Sequence, residues 1–251
     1  MPATPAWPPK SLPRLFVDRP LSAGLALDLD GPPANYLGTV LRLGPGEQVK
    51  LFDDRSGEWL AEIEDTARKR VSLRVGARLR PREPVPDLWL LFAPIKRGRI
   101  DWLAEKATEL GAARLVPVLT SRTIVERVNI ERLRAHAIEA AEQCERTALP
   151  ELAEPQKLDR LLRDWPKGRA LYFADEAGGA PLAKAAAPGP AAILIGPEGG
   201  FTDEERAAIG AVPQARAVSL GPRILRADTA AIAALSIWMS AAGDWDKGTR
   251  S

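Results

Sequence analysis

Apolar residues in the first third of the chain come in short runs separated by turn formers. Residues 14–17, 25–29, 48–52, 59–63 and 71–75 have the length and composition of strands, with Asp30-Gly31-Pro32, Gly44-Pro45-Gly46 and the segment 53–57 between them. This spacing predicts a small β-barrel or sandwich over residues 13–80. One helix is predicted inside it over 35–43, where Leu37, Val40 and Leu41 fall on one face. Pro81, Pro84 and Pro86 then stop regular structure, and residues 81–87 are read as the linker between two domains.

Beyond the linker the pattern changes. Apolar runs at 88–95, 114–119, 169–174, 191–195 and 215–220 alternate with helical periodicity at 100–110, 129–146, 202–209 and 228–241. Alternating strands and helices predict an α/β domain over 88–243, with a mostly parallel sheet covered on both faces. Two of the strands run into glycine turns, Ile195-Gly196-Pro197-Glu198-Gly199-Gly200-Phe201 and Leu220-Gly221-Pro222-Arg223-Ile224-Leu225-Arg226, and each turn leads into a helix. Both turns are expected on one edge of the sheet, where open α/β folds bind ligands. The proline-rich residues 1–12 and the tail 244–251 are expected to be flexible extensions.

Composition narrows the function classes only modestly. The 35 basic and 33 acidic residues nearly balance, so overall charge does not mark a nucleic-acid binder. Locally, however, Arg68, Lys69, Arg70, Arg74, Arg78, Arg80 and Arg82 occur together without an acidic residue. On a hairpin they would form a ridge suited to phosphates, or alternatively an edge strand guarded by charge against aggregation. Cys144 is the single cysteine, which excludes an internal disulfide framework and a cysteine-rich zinc site and points to a reducing, cytoplasmic setting. His136 is the single histidine; it excludes a multi-histidine metal site and is expected to face solvent or pack within its helix. No apolar stretch reaches the roughly 18 residues of a membrane span, so a soluble chain without metal is expected.

The chemistry-bearing residues cluster at the two turns. Thr202-Asp203-Glu204-Glu205 reads as a capping box, which assigns those acids to helix initiation. Glu198 precedes the cap and is not explained by it; it is either a solvated turn carboxylate or a functional one. Arg223 and Arg226 precede Asp228, a residue that a helix N-terminus favours in any case. Paired guanidinium forks beside a carboxylate can also hold a base or phosphate and accept a proton. Neither turn has the G-x-G-x-x-G or G-x-x-x-x-G-K-[ST] spacing of the common nucleotide loops.

The two turns, together with Glu142-Gln143-Cys144-Glu145-Arg146, Val40-Leu41-Arg42-Leu43 and Lys106-Ala107-Thr108-Glu109-Leu110-Gly111, resemble the bacterial enzymes that methylate N3 of a uridine in small-subunit 16S ribosomal RNA. These belong to the SPOUT class of knotted methyltransferases, and the resemblance extends over nearly the whole chain from Pro13. It implies a PUA-like β-barrel that binds RNA, followed by a SPOUT α/β domain with a deep trefoil knot. It also implies a homodimer acting on ribosomal RNA or the assembled small subunit, with S-adenosylmethionine bound by Ile195, Gly196, Gly200, Leu220, Gly221 and Leu225.

On the same reading, Arg226, Asp228 and Glu198 are the catalytic candidates, and Arg14, Arg68, Lys69, Arg70, Arg122, Arg146 and Arg223 are the RNA contacts. Two departures stand out. The family usually carries a glutamate where this chain has Asp228, and Asn35-Tyr36-Leu37 lacks the histidine common near that helix start. Two other classes stay open beside the methyltransferase: an RNA-binding protein of the same fold without methyl transfer, and an ordinary nucleotide-binding α/β enzyme.

Overall fold

The computed structural model describes residues 12–67, 69–96, 98–125 and 127–246. The chain divides into two compact units, Met1–Pro84 with Ala141–Ala148, and Val85–Ala140 with Leu149–Ser251. Most of the predicted N-terminal extension, the last residues of the predicted tail, and Arg68 lie outside the described residues.

In the first unit, β1 (Arg14–Phe16), β2 (Ala26–Asp30), β3 (Gln48–Phe52), β4 (Glu58–Ala67) and β5 (Arg70–Arg80) form one sheet in the order β1-β3-β4-β5-β2. The β1–β3 pair is parallel; the other pairs are antiparallel. The alternation in β5 turns Val71, Leu73 and Val75 inward while Arg70 and Arg74 face water. Leu73 pairs with Ile63, and Val75 with Ala61, so apolar side chains meet across the ladder and fix its register.

The helix of this unit begins before its predicted start at residue 35. It is α1 (Gly31–Asn35), which passes into a π-helical turn at Tyr36–Val40. Pro32 and Pro33 occupy the first turn, where a missing N–H costs no hydrogen bond, so a sequence that reads as a turn initiates a helix instead. Ala34 and Leu37 insert into the core beside Leu51 and Ile63.

The second unit comprises β6 (Leu88–Phe92), α2 (Arg99–Glu109), β7 (Arg114–Leu119), most of α3 (Ile130–Gln143), β8 (Glu151–Leu152), β9 (Gln156–Lys157) and α4 (Leu158–Arg163). It continues with β10 (Ala170–Ala174), β11 (Ala180–Pro181), α5 (Leu182–Ala185), β12 (Ala191–Ile195), α6 (Asp203–Gly210), β13 (Ala215–Ser219) and α7 (Ala227–Ala242). The main strands pair in parallel in the order β11-β13-β10-β12-β6-β7-β8, and β9 pairs with β7.

Both faces of this sheet are covered. Leu88, Leu90, Tyr172, Ile193 and Val218 pack with residues of α2 and α7 in one core; Leu91, Val116, Leu171, Phe173 and Leu194 pack with residues of α4 and α6 in the other. Successive strand residues therefore serve opposite cores, which is why these strands read as continuous apolar runs. Each fully buried large side chain contributes about 1.5–3 kcal/mol relative to exposure.

Among the described residues, no helix is long and apolar enough to cross a membrane. His136 sits beside two carboxylates, with Nδ1 2.8 Å from Glu105 and Nε2 3.7 Å from Asp101.

Candidate active site

The two glycine turns follow β12 and β13, which are not neighbours in the sheet. β10 lies between them, in register with both. All three strands are parallel, so their carboxyl ends open on one edge, and a third loop over 174–178 joins the two predicted turns. They enclose a cavity of about 740 Å³, a size suited to a small organic ligand.

All six residues expected to bind a cofactor line this cavity: Ile195 and Leu220 at the strand ends, Gly196, Gly200 and Gly221 in the turns, and Leu225. The glycines have backbone reasons to be there. Gly200 has φ +70° and Gly221 φ +117°, conformations that side chains with a Cβ rarely adopt. A Cβ on Gly196 would approach the Phe201 ring to 3.0 Å. Glycine thus shapes a cradle in which backbone amides can reach a ligand.

The first turn is braced from outside. Thr202 and Glu205 form the expected capping box, and the second carboxylate oxygen of Glu205 accepts the backbone N–H of Ser121 at 2.7 Å. Arg122 donates from Nη1 to the Gly199 carbonyl at 2.6 Å. This nitrogen holds the turn, while Arg122 itself stays exposed.

Charges gather around the cavity. Glu198, Arg223 and Arg226 line it, and all three are exposed. Arg223 and Arg226 have no ion pair among the described residues. Asp228, in the first turn of α7, lies just behind the wall; its Oδ1 accepts the Thr229 N–H at 2.8 Å.

Four further charged positions escaped sequence reasoning. Arg99, the first residue of α2, places Nη1 3.6 Å from Glu198 Oε1 and 3.7 Å from Asp228 Oδ2. Arg206 of α6 pairs with Asp175 at 3.4 Å and with Glu176 at 2.9 Å, on the loop after β10. No local motif marks these residues, because strand order alone brings their loops together.

Two arginines expected to touch RNA are buried in the first unit, and the structure corrects that expectation. Arg14 is 8% exposed and Arg146 3%. The Arg14 guanidinium pairs with Glu58, donates to the carbonyls of Ala141 and Arg146, and stacks 3.9 Å from the centre of the Phe52 ring. Burial pushes the Arg14 guanidinium down from its ordinary range, and Glu58 opposes that shift. Arg146 lies 4.0 Å from Glu83, and its burial likewise lowers its pKa. Buried guanidinium groups with partners inside the protein offer no face to a phosphate backbone.

The basic ridge is also smaller than its sequence. Arg74 pairs with Glu64, Arg80 with Glu58, and Arg82 with Asp54. Lys69, Arg70 and Arg78 remain exposed and without ion pairs among the described residues.

Residues 81–239 match the RNA methyltransferase domain family, and residues 29–76 match the RNA methyltransferase PUA domain family. The chain is 30% identical over 229 residues to ribosomal RNA small subunit methyltransferase E of Rickettsia conorii, covering 89% of this chain and 93% of that protein. It is 33% identical to the Synechocystis protein of the same name, over 80% of this chain and 69% of that protein. The crystal structure of the Neisseria gonorrhoeae protein of that name, bound to S-adenosylmethionine, superposes with a TM-score of 0.86 at 27% identity, covering 94% of this chain and 100% of that one. With a methyltransferase-family match over most of its length and relatives of one name, this chain belongs to the ribosomal RNA small subunit methyltransferase E family.

Proposed function

We propose that this chain transfers a methyl group from S-adenosylmethionine to N3 of a uridine in small-subunit ribosomal RNA, working as a cytoplasmic homodimer. The observation that carries this reading is the convergence of the β10, β12 and β13 loops on one glycine-lined cavity beside Arg226, Glu198 and Asp228. The knot expected from the resemblance would have to be tied around the strand order in which β12 lies between β6 and β10 and β13 on the far side of β10.

The cavity fits the proposed cofactor in size and chemistry. Glycine backbone can approach an adenine closely, and acidic and basic side chains are both present for a zwitterionic sulfonium compound. When bound, S-adenosylmethionine supplies an electrophilic methyl group: an N–CH3 bond forms, the S–CH3 bond breaks, and its electron pair stays on sulfur. Uracil N3 is a poor nucleophile while it holds its proton. In this reading Asp228 or Glu198 takes the proton, and Arg226, with Arg223, stabilises the negative charge that develops on the uracil oxygens. N3 lies on the pairing edge, so the uridine enters the site unpaired or flipped out.

In the first unit, the RNA surface centres on Lys69, Arg70 and Arg78. Replacing all three by glutamine is expected to flatten the salt dependence of RNA binding by about 2–3 in the log–log slope, while calorimetric affinity for S-adenosylmethionine stays at the parental value. An unchanged slope removes this surface from the RNA interface. At the cofactor, Gly221→Val forces a branched side chain into φ +117°. Such strain costs about 1–3 kcal/mol and is expected to weaken S-adenosylmethionine binding by about tenfold; parental affinity in calorimetry would show that the turn does not shape the cofactor site.

The deciding experiment incubates the purified chain and S-adenosylmethionine with small subunits from cells lacking the modification, then analyses nucleosides by mass spectrometry. 3-Methyluridine in ribosomal RNA is the expected product. Cofactor binding without methylation would favour an RNA-binding protein of this fold, and methylation of another base would redirect the assignment.

A further inference from the structure

Two arginines of the cavity each face two carboxylates, and they do so differently. Arg206 uses separate nitrogens, Nε toward Asp175 and Nη2 toward Glu176, the latter a hydrogen bond of 2.9 Å. Arg99 uses one nitrogen for both partners: Nη1 lies 3.6 Å from Glu198 and 3.7 Å from Asp228, just outside hydrogen-bond distance of either. The guanidinium is therefore balanced between two acids carried by different loops.

The location of Arg99 sharpens the point. It opens α2, after Gly98 at φ +90°, and a cation at a helix N-terminus opposes the helix dipole. Nothing in helix formation calls for arginine there. The two carboxylates supply the compensation: Arg99 lines the cavity with Glu198, and Asp228 lies just behind the wall.

We propose that Arg99 is a positioning residue for methyl transfer: one guanidinium holds Glu198 and Asp228 together at the cavity and stays paired with whichever of them remains ionised when the other takes the uracil N3 proton. This inference rests on the function proposed above. Before the step the trio carries one positive and two negative charges. The N3–H bond then breaks, its proton joins one carboxylate, and the electron pair left on N3 forms the bond to the methyl carbon. The trio becomes neutral as the uracil gains negative charge, so the anion forms beside a site that has lost its own excess charge. Arg99 offsets the mutual repulsion of the carboxylates beforehand and keeps a partner afterwards. Arg223 and Arg226 on the β13–α7 turn face the same space, while Asp175 and Glu176 are occupied by Arg206.

The test uses the full chain, small subunits lacking the modification, and the variants Arg99→Gln and Arg99→Lys. Arg99→Gln is expected to lower single-turnover kcat by about a hundredfold, with KM for the subunit and calorimetric S-adenosylmethionine affinity little changed. Arg99→Lys should recover most of the loss. In a Glu198→Gln/Asp228→Asn background, Arg99→Gln should slow the reaction no further, because its partners are already gone.

A parental rate in Arg99→Gln overturns the proposal, as does a full additional loss in the carboxylate-free background. A cofactor affinity that falls as far as the rate overturns it too, by assigning Arg99 to cofactor binding. If Arg99→Gln does not fold, Arg99→Lys decides: near-parental kcat supports the role, and a hundredfold loss overturns it. A parental chain that methylates nothing refutes the proposed function and this inference together, whereas an active parental chain with an equally active Arg99→Gln refutes only the inference.

Discussion

Glu58→Gln is expected to destabilise the first unit by about 3–5 kcal/mol, the cost of removing one partner from a buried ion pair. Glu58 is 3% exposed and lies between two guanidinium groups. Arg14 pairs with Oε1, while Arg80 donates from Nε to Oε2 at 2.9 Å and from Nη2 to Oε1 at 3.3 Å. Glutamine keeps the shape but removes the charge and half of the acceptor capacity, leaving Arg14 buried without a counterion. Urea unfolding of the two proteins at neutral pH, followed by hydrogen exchange in β3–β5, measures the difference. A loss below about 1 kcal/mol, the range of an exposed pair, would show that the network carries little stability.

The same network predicts how the unit responds to acid. Burial opposes ionisation of Glu58, but hydrogen bonds from Arg80 and Arg14 outweigh it and hold its carboxyl below the ordinary range. Asp53 behaves alike: burial is overcome by hydrogen bonds from the Ser56 hydroxyl and the backbone N–H groups of Leu21, Arg55 and Ser56. A folded pKa depressed below its unfolded value contributes stability that is fully present above the unfolded pKa of about 4. That contribution is lost as pH falls through the folded value. The parental unit should therefore weaken progressively below about pH 4, and Glu58→Gln should show a shallower acid dependence.

The largest catalytic effect is expected from Glu198→Gln/Asp228→Asn, which should slow single-turnover methyl transfer by about 10²–10⁴-fold, the usual contribution of a positioned proton acceptor. The two sites differ in setting. The Glu198 side chain is 56% exposed and that of Asp228 16%, so the single variants will identify the acceptor by which one reproduces the double loss. Cofactor affinity, measured separately, distinguishes a loss of proton removal from a loss of cofactor binding, because Glu198 also lines the cavity. If the double variant keeps the parental rate, proton removal by these carboxylates is wrong, and water or the RNA itself must take the proton. Asp228 also tests the departure from the family's usual glutamate: Asp228→Glu should retain activity if the added methylene still lets the carboxylate meet Arg99.

Much of the architecture is legible in the sequence. The period-two alternation of β5 and the continuous apolar runs of β6, β10 and β12 identify a half-exposed sheet and a doubly covered one, because burial follows side-chain direction along each strand. Thr202 and Glu205 mark the start of α6 through interactions only three residues apart. The glycine turns were recognisable for a similar reason: positive φ is a local demand, and Gly200 and Gly221 meet it in place. Shorter elements were not legible. α4 spans Leu158–Arg163 and buries Leu158, Leu161 and Leu162, but so few residues carry little periodic signal. At α1, the prolines that read as a turn prove compatible with a helix start.

What the chain determined by itself was thus local or periodic: the two classes of sheet, the cap, the six cavity-lining turn residues and the family they belong to. Tertiary structure decided the partners of the charges. It set β10 between the two glycine turns and so added the 174–178 loop to the site; it brought Arg99 between Glu198 and Asp228; it buried Arg14 and Arg146; and it paired Arg74, Arg80 and Arg82 with acids, leaving Lys69, Arg70 and Arg78 as the exposed residues of the ridge without ion pairs among the described residues. The reason is physical. A backbone conformation answers to its immediate neighbours, whereas an ion pair forms wherever folding brings opposite charges within a few ångströms, whatever their separation along the chain.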